Sequence, residues 1–300
     1  MIALSLPYPF DREYMQLALV AGLVVGACSP LIGGYLVQKR MSLMGDGIGH
    51  LAFAGVAAGL LLDVWPVWTA LLVAVVGAVG VEWLRTRART SGDLALALFF
   101  YGGIAAGVVL IGLAGSFDAG IFTYLFGSIL TVRPADVWVV VGLGVAIVAA
   151  VWFTGRALFA TVVDEESSRV AGIPVDGLNT MLSVLTAVTI VAAMRVVGLL
   201  LVAALMVLPV GASRPIAKSF RGMLLGAVAV GTASVVLGLV FARIWGLAPG
   251  GTIVLVAAAA FGAVSLGVGV RRRGASDDPI AWQEPACGPI ARPSGGPDGH

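Results

Sequence analysis

Apolar runs long enough to cross a lipid bilayer recur along almost the whole chain, and no other feature restricts its fold so strongly. They fall at about 14–37, 43–62, 66–84, 93–114, 136–153, 178–194, 196–211, 223–242 and 251–270. At ~1.5 Å per residue, about 20 residues span ~30 Å of hydrocarbon. In that medium every backbone N–H and C=O must find its partner within the protein, so each run is expected to be helical. A chain that is 59% hydrophobic and only 11% charged lies outside the range of soluble domains. The expected fold is an all-α polytopic membrane protein of about nine (eight to nine) transmembrane helices. The apolar piece at 120–131 is too short to cross and reads as a re-entrant or broken segment. The runs 178–194 and 196–211 are separated by little more than Arg195, so eight spans fit almost as well.

The basic residues order these runs. Lys39 and Arg40; Arg85, Arg87 and Arg89; Arg156 and Arg169; Arg214, Lys218 and Arg221; and Arg271–Arg273 with Arg292 fall in alternate connections, leaving Arg12, Arg133, Arg195 and Arg243 on the other side. The positive-inside rule then predicts an outside N-terminus and a cytoplasmic C-terminus. The first run follows Asp11-Arg12-Glu13 and is too long for a signal-peptide core, so it reads as a retained helix. Val25-Gly26-Ala27-Cys28 looks like a lipoprotein cleavage box, but Cys28 is better read as a small packing residue. Glycine pairs at four-residue spacing, Gly22/Gly26, Gly55/Gly59, Gly103/Gly107 and Gly222/Gly226, point to close helix packing and a helix-to-helix dimer contact. Residues 1–273 form the expected transmembrane domain. Residues 274–300, rich in Gly, Pro, Ser and Asp, read as a disordered cytoplasmic tail, with Cys287 and His300 incidental there.

Two stretches carry chemistry. Met41-Ser42-Leu43-Met44-Gly45-Asp46-Gly47-Ile48-Gly49-His50 opens the second apolar run with an acid and an imidazole. Polar groups in hydrocarbon are costly and usually functional, and positions i and i+4 share a helix face, so Asp46 and His50 are candidate ligands for a divalent metal. The competing reading makes Asp46 an N-cap and His50 a packing residue. Gly45, Gly47 and Gly49 disfavour a regular helix start there, and broken backbone at membrane depth lines pathways. The second stretch is Asp164-Glu165-Glu166-Ser167-Ser168-Arg169-Val170-Ala171-Gly172, followed by Pro174: acids first, a base late, then a glycine stop, which predicts a short helix between spans.

Several activities are excluded. No GxxxxGK[ST] loop accompanies Lys39 or Lys218, so the chain does not hydrolyse nucleotide by itself. No His-Glu-x-x-His exists, and Asp46 is the lone aspartate well inside an apolar run, which argues against intramembrane proteolysis. Asp63, Asp93, Asp118 and Asp136 lie at run ends, where capping explains them, and Glu82 is placed to reach Arg85 one turn away.

Met41–Leu62 resembles the signature of the metal-ion permeases of ABC importers, the zinc, manganese and iron uptake family, in which Gly-Asp and a nearby His open a span. The resemblance continues through Leu61-Leu62-Asp63-Val64-Trp65-Pro66, Tyr124–Leu130, Met194–Gly198, Leu208-Pro209 and Ala248-Pro249-Gly250-Gly251, covering roughly 14–270. Gly49 stands where the family usually has alanine or serine. The resemblance implies the type II ABC importer permease fold in a bacterial cytoplasmic membrane. It further implies a homodimer with the path on its two-fold axis, a separate ATPase on the cytoplasmic face and an extracytoplasmic metal-binding protein. No permanent cofactor and no nucleic-acid partner are expected, and the metal ion, zinc foremost with manganese or iron as alternatives, is cargo. Asp46 and His50 become transient pathway ligands, with Gly45, Gly47 and Gly49 as pathway backbone. A more distant resemblance to cobalamin and siderophore permeases makes Asp164–Gly172 the coupling helix. The alternatives are a proton-coupled secondary transporter using Asp46 and His50 as a relay, and a scaffold in which the pair is structural.

Overall fold

The computed structural model describes residues 10–87, 92–114, 119–128 and 132–276. Its elements are α1 (Glu13–Gln38), α2 (Met44–Leu61), α3 (Pro66–Arg87), α4 (Gly92–Leu113), α5 (Ala119–Phe126), α6 (Pro134–Val163), α7 (Glu165–Val170), α8 (Val175–Ala193), α9 (Leu199–Ser213), α10 (Phe220–Trp245) and α11 (Pro249–Ser276). Among the described residues there is no strand. Among the described residues, eight helices are long and apolar enough to cross a membrane, and α9, with 15 residues, is a shorter apolar one. The described part of the short apolar piece forms α5, which ends at Phe126. The helix of α11 runs to Ser276, past the expected boundary at 273, and the tail expectations for Cys287 and His300 lie outside the described residues.

Two groups of helices share a central pair. Helices α2, α3 and α4 pack together on one side; α1, α10 and α11 pack on the other, with α6 against α1. Between them, α8 touches α2, α3, α1 and α6, while α9 touches α1, α2, α10 and α11. Leucine, valine and tryptophan side chains such as Leu72, Trp138, Trp152, Leu225 and Leu255 point outward from α3, α6, α10 and α11, which suits helices bathed in lipid.

Small residues set the packing distance. A Cβ at Gly26 would stand 3.1 Å from the Gly231 carbonyl oxygen of α10, and one at Gly55 2.6 Å from Ala70 Cα of α3. A Cβ at Gly103 would stand 2.8 Å from the His50 carbonyl carbon of α2. The glycine pairs on α1, α2 and α4 are therefore spent on contacts within the chain, not on the dimer contact their spacing also allowed. Cys28 is buried and its thiol donates to the Gly144 carbonyl at 3.8 Å, as a packing residue would.

The basic residues gather as their alternation predicts. Arg85 and Arg169 line one cleft with Glu165 and Asp176, and Arg214 and Lys218 line another with Gln38 at the same end of the bundle. Glu82 receives both Arg85 Nη2 (2.8 Å) and Nε (3.2 Å). At the opposite end Arg243 lies over the Tyr14 ring at 5.6 Å, and Arg195 pairs with Asp136 at 3.2 Å while covering Tyr124 at 4.9 Å. Asp136 also accepts the Arg133 backbone N–H at 3.0 Å at the start of α6, the capping role foreseen for it.

That opposite end holds the turn between α8 and α9. Gly198 (φ +92°) and Gly127 (φ +74°) both need the left-handed region, and each lies so near the other's backbone that no side chain fits between them. Ser128 N–H donates to the Arg195 carbonyl at 3.3 Å, so α5 closes over the turn and satisfies its backbone.

Close approach also decides one test of the packing. At Gly33 the Met206 backbone of α9 occupies the place a Cβ would take, whereas nothing lies within 4 Å at Gly102. Gly33→Ala is expected to destabilise the detergent-solubilised protein by about 1–3 kcal/mol, with Gly102→Ala neutral. Thermal unfolding followed by size-exclusion fluorescence measures both; equal melting of the two variants would refute the packing of α1 on α9.

Candidate functional site

Helix α2 starts where α1 ends. Lys39, Arg40 and Met41 form a hydrogen-bonded stop in which Met41 N–H reaches the Leu36 carbonyl at 2.9 Å and Arg40 N–H the Val37 carbonyl at 3.2 Å. Arg40 takes φ +60° to make this turn. Met44 N–H then bonds the Met41 carbonyl, and Gly47 N–H the Leu43 carbonyl. From Met44 onward α2 is a regular helix. This corrects the expectation of irregular backbone at Gly45, Gly47 and Gly49. Their absent side chains serve close approach instead: a Cβ at Gly45 would lie 3.2 Å from Ala203 Cβ on α9, one at Gly47 2.5 Å from Leu96 on α4, and one at Gly49 3.5 Å from the Leu199 carbonyl oxygen. Nor is Asp46 the N-cap. Leu43 holds that position, and Asp46 sits in the first turn, where a carboxylate complements the helix dipole.

Packing leaves one side of this turn open. From Met44 to Ala52 every residue of α2 is buried except Asp46 and His50, which are half-buried. Phe53, one turn further along the same side, is half-buried too. Helices α3, α4, α8 and α9 thus enclose α2 while leaving a stripe on which a carboxylate and an imidazole stand about 6 Å apart. Phe100 of α4 packs its ring edge-on to His50, with centroids 4.5 Å apart, and fixes one flank of the imidazole. Among the described residues neither polar side chain takes a hydrogen bond from the protein, and no third His, Cys, Asp or Glu joins them in a cluster that would hold a metal.

The depth of the pair follows from neighbouring contacts. Ser183 Oγ of α8 donates to Met44 Sδ at 3.7 Å, and one turn nearer the basic end Asn179 is bonded to Lys39. His50 comes six residues after Met44. At ~1.5 Å per residue it stands about 15 Å inward from Lys39. Val196, near Gly22 of α1, lies about 25 Å from the same reference, so His50 stands a little past half-way between the two.

The second predicted stretch is also formed. Asp164 caps α7, its Oδ1 accepting from the N–H groups of Glu166 (2.9 Å) and Ser167 (3.1 Å). The Ser167 hydroxyl bond, followed by these N–H bonds, holds the Asp164 carboxyl below its ordinary range. Gly172 ends the element at φ +80°, and Arg169 pairs with Asp176 of α8. Val170 is 90% exposed, an apolar side chain presented outward from the basic end. Ser168 is the one fully buried residue of α7.

What sequence reading missed is the anchor beneath α7. Lys39 Nζ, with its side chain 4% exposed, donates to Glu165 Oε1 at 2.7 Å and to Asn179 Oδ1 at 2.5 Å, while Asn179 Nδ2 donates to Glu165 at 3.3 Å. Burial pushes the Glu165 carboxyl up, but the hydrogen bond and charge of Lys39, the Asn179 amide and the Arg85 charge together outweigh it and leave it below its ordinary value. In sequence Lys39 marked only the end of a span, and partners more than a hundred residues away leave no local signal.

Over most of its length the chain is similar to known membrane proteins. The chain is 30% identical over 262 residues, 86% of its length and 89% of the relative's, to the manganese transport system membrane protein MntC of Halalkalibacterium halodurans. It is 29% identical over 250 residues, 83% of its length and 95% of the relative's, to the high-affinity zinc uptake system membrane protein ZnuB of Haemophilus influenzae. The fold superposes on a chain in the structure of PsaBC from Streptococcus pneumoniae in complex with Fab, with a TM-score of 0.77 at 30% identity, covering 85% of this chain and 91% of that one. The family described as ABC 3 transport family matches residues 11–267, and the chain belongs to it.

Proposed function

We propose that this chain is the membrane permease subunit of an ATP-driven importer that passes a divalent metal ion along the Asp46–His50 side of α2. The observation that carries the reading is the selective burial of α2: over nine residues, only the two side chains able to ligate a metal are left accessible. The relatives named for manganese and zinc transport support the class of cargo.

Carboxylate plus imidazole suits both zinc and manganese. One carboxylate and one imidazole are too few for a closed site, which is what a conducting path needs, since an ion held by four fixed ligands would not leave again. A second copy of the chain across a two-fold axis would place a second such pair beside the path, the ion meeting one pair at a time while water completes its shell. The ion then exchanges between pairs and water without being trapped. The free energy to alternate between the two faces comes from a separate ATPase, because no phosphate-binding loop exists here. That partner seats on α7, and a metal-loaded binding protein delivers cargo at the opposite end. The basic end, which carries α7, is the cytoplasmic one by the positive-inside rule, so the N-terminus lies outside and the C-terminus inside.

Two experiments test this. In liposomes holding the chain with its ATPase and binding protein, ATP-dependent uptake of zinc and of manganese is measured separately. His50→Ala and Asp46→Asn are each expected to lower uptake at least ~10-fold without loss of assembly; undiminished uptake would remove the pair from the path. Val170→Asp, on a side chain that touches nothing the fold needs, is expected to abolish co-purification of the ATPase. Unchanged co-purification would place the ATPase seat elsewhere.

A further inference from the structure

We infer that Lys39 is a positioning residue that ties movement of α7 to the first turn of α2, through its paired bonds to Glu165 and Asn179. The inference rests on the reading of α7 as the seat of an ATPase. It assigns to a named side chain the step between that seat and the ion path.

Three observations converge on Lys39. Its ammonium is buried, with one acid and one amide for partners, and those partners belong to different elements, α7 and α8. A buried ion pair brings little net stability over an apolar residue of the same length, whereas removing one partner leaves the other charge uncompensated. Such a pair therefore locks two elements into one relative position more than it holds the fold together. The connection onward is stiff. Between Lys39 and α2 the turn is hydrogen-bonded at Arg40, Met41, Met44 and Gly47, with no slack in which a displacement of Lys39 would dissipate.

The third observation is a parallel tie. Ser183, one turn beyond Asn179 on α8, reaches back to the Asn179 carbonyl at 2.9 Å and across to Met44 Sδ at 3.7 Å. One face of α8 thus grips the end of α1 through Asn179 and the start of α2 through Ser183. When α7 shifts, Glu165 carries Lys39 and Asn179 with it, and the turn of α2 bearing Asp46 follows. Coupling of this kind is reciprocal in binding: whatever cargo does to the turn is returned to α7 with equal free energy.

The test uses the complete complex in liposomes and reads metal ions moved per ATP hydrolysed, a ratio that weakened docking or reduced folding does not lower, because both scale uptake and hydrolysis together. Lys39→Met keeps the length and apolar packing of the side chain and is expected to lower the ratio ~10-fold, within the usual range of coupling energies. Glu165→Gln is expected to lower it similarly, and the double variant no further than the worse single, because the two act through one bond. An unchanged ratio in Lys39→Met, or losses that multiply in the double variant, would overturn the inference. Should Lys39→Met fail to assemble, Glu165→Gln alone decides it, since Glu165 is 41% exposed and glutamine keeps an acceptor oxygen for the Lys39 ammonium. The wild-type complex separates the two levels: without ATP-dependent uptake it is the importer reading that fails, and with such uptake only the ratio bears on Lys39.

Discussion

Everything in this molecule depends on the requirement that backbone polar groups inside hydrocarbon be bonded within the protein. Helices meet it automatically, and the chain is helical almost throughout its described length. The informative place is where the helix stops, between α8 and α9. There Gly198 and Gly127 let two non-helical segments touch backbone to backbone, Ser128 donates to the Arg195 carbonyl, and a Cβ at Gly250 of α11 would stand 2.6 Å from the Phe126 carbonyl oxygen. The short α5 is thus the cover that lets α8 turn back as α9. The Arg195–Asp136 pair, with Tyr124 against the guanidinium, supplies the charge compensation that a largely buried Arg195 needs.

The same constraint explains why α2 is where it is. A helix carrying an acid and an imidazole cannot face lipid, so it must be surrounded, and α3, α4, α8 and α9 surround it. Enclosure alone would bury both groups and leave them unsatisfied. Glycine resolves the conflict by letting α4 and α9 come close at Gly45, Gly47 and Gly49 while the side bearing Asp46 and His50 stays accessible. Alanine at Gly47 would press on Leu96 and rotate or displace the stripe. The motif therefore has two halves with different tasks: its polar residues are the ones the proposed path offers to the cargo, and its glycines aim them.

Much of this was legible in the sequence. Hydrophobic length placed the helices, and alternating arginines and lysines sorted their ends correctly, since Arg85, Arg169, Arg214 and Lys218 do gather apart from Arg195 and Arg243. The acid-to-base order of Asp164 to Arg169 with Gly172 gave α7 and its cap. What misled was glycine in α2, because propensity counts the backbone entropy a glycine loses and cannot see the neighbouring helix that repays it. The glycine pairs misled in the same way: their spacing announces a close contact without saying whether the partner is another helix of this chain or of a second copy. Lys39, Asn179 and Ser183 were illegible for a different reason. Each is ordinary at its own position, and their meaning comes only from contacts between α1, α7 and α8.

In the proposed coupling, those contacts join the surface element to the polar turn of α2. The outward element, α7, is six residues long and too short to be stable alone. It is held from outside by the Asp164 cap and the Arg169–Asp176 pair, which are solvent-exposed and contribute little. The contact that reaches inward is Glu165 on Lys39, screened from water on the lysine side. Weak outer bonds leave α7 free to tilt with whatever seats on it, while the inner bond keeps that tilt from being lost. An arrangement with both sets strong would be rigid, and one with both weak would let α7 move without consequence for α2. In the proposed coupling, the unequal strength of the two sets is what would let a short surface helix act on a polar pair about 15 Å inside the bundle.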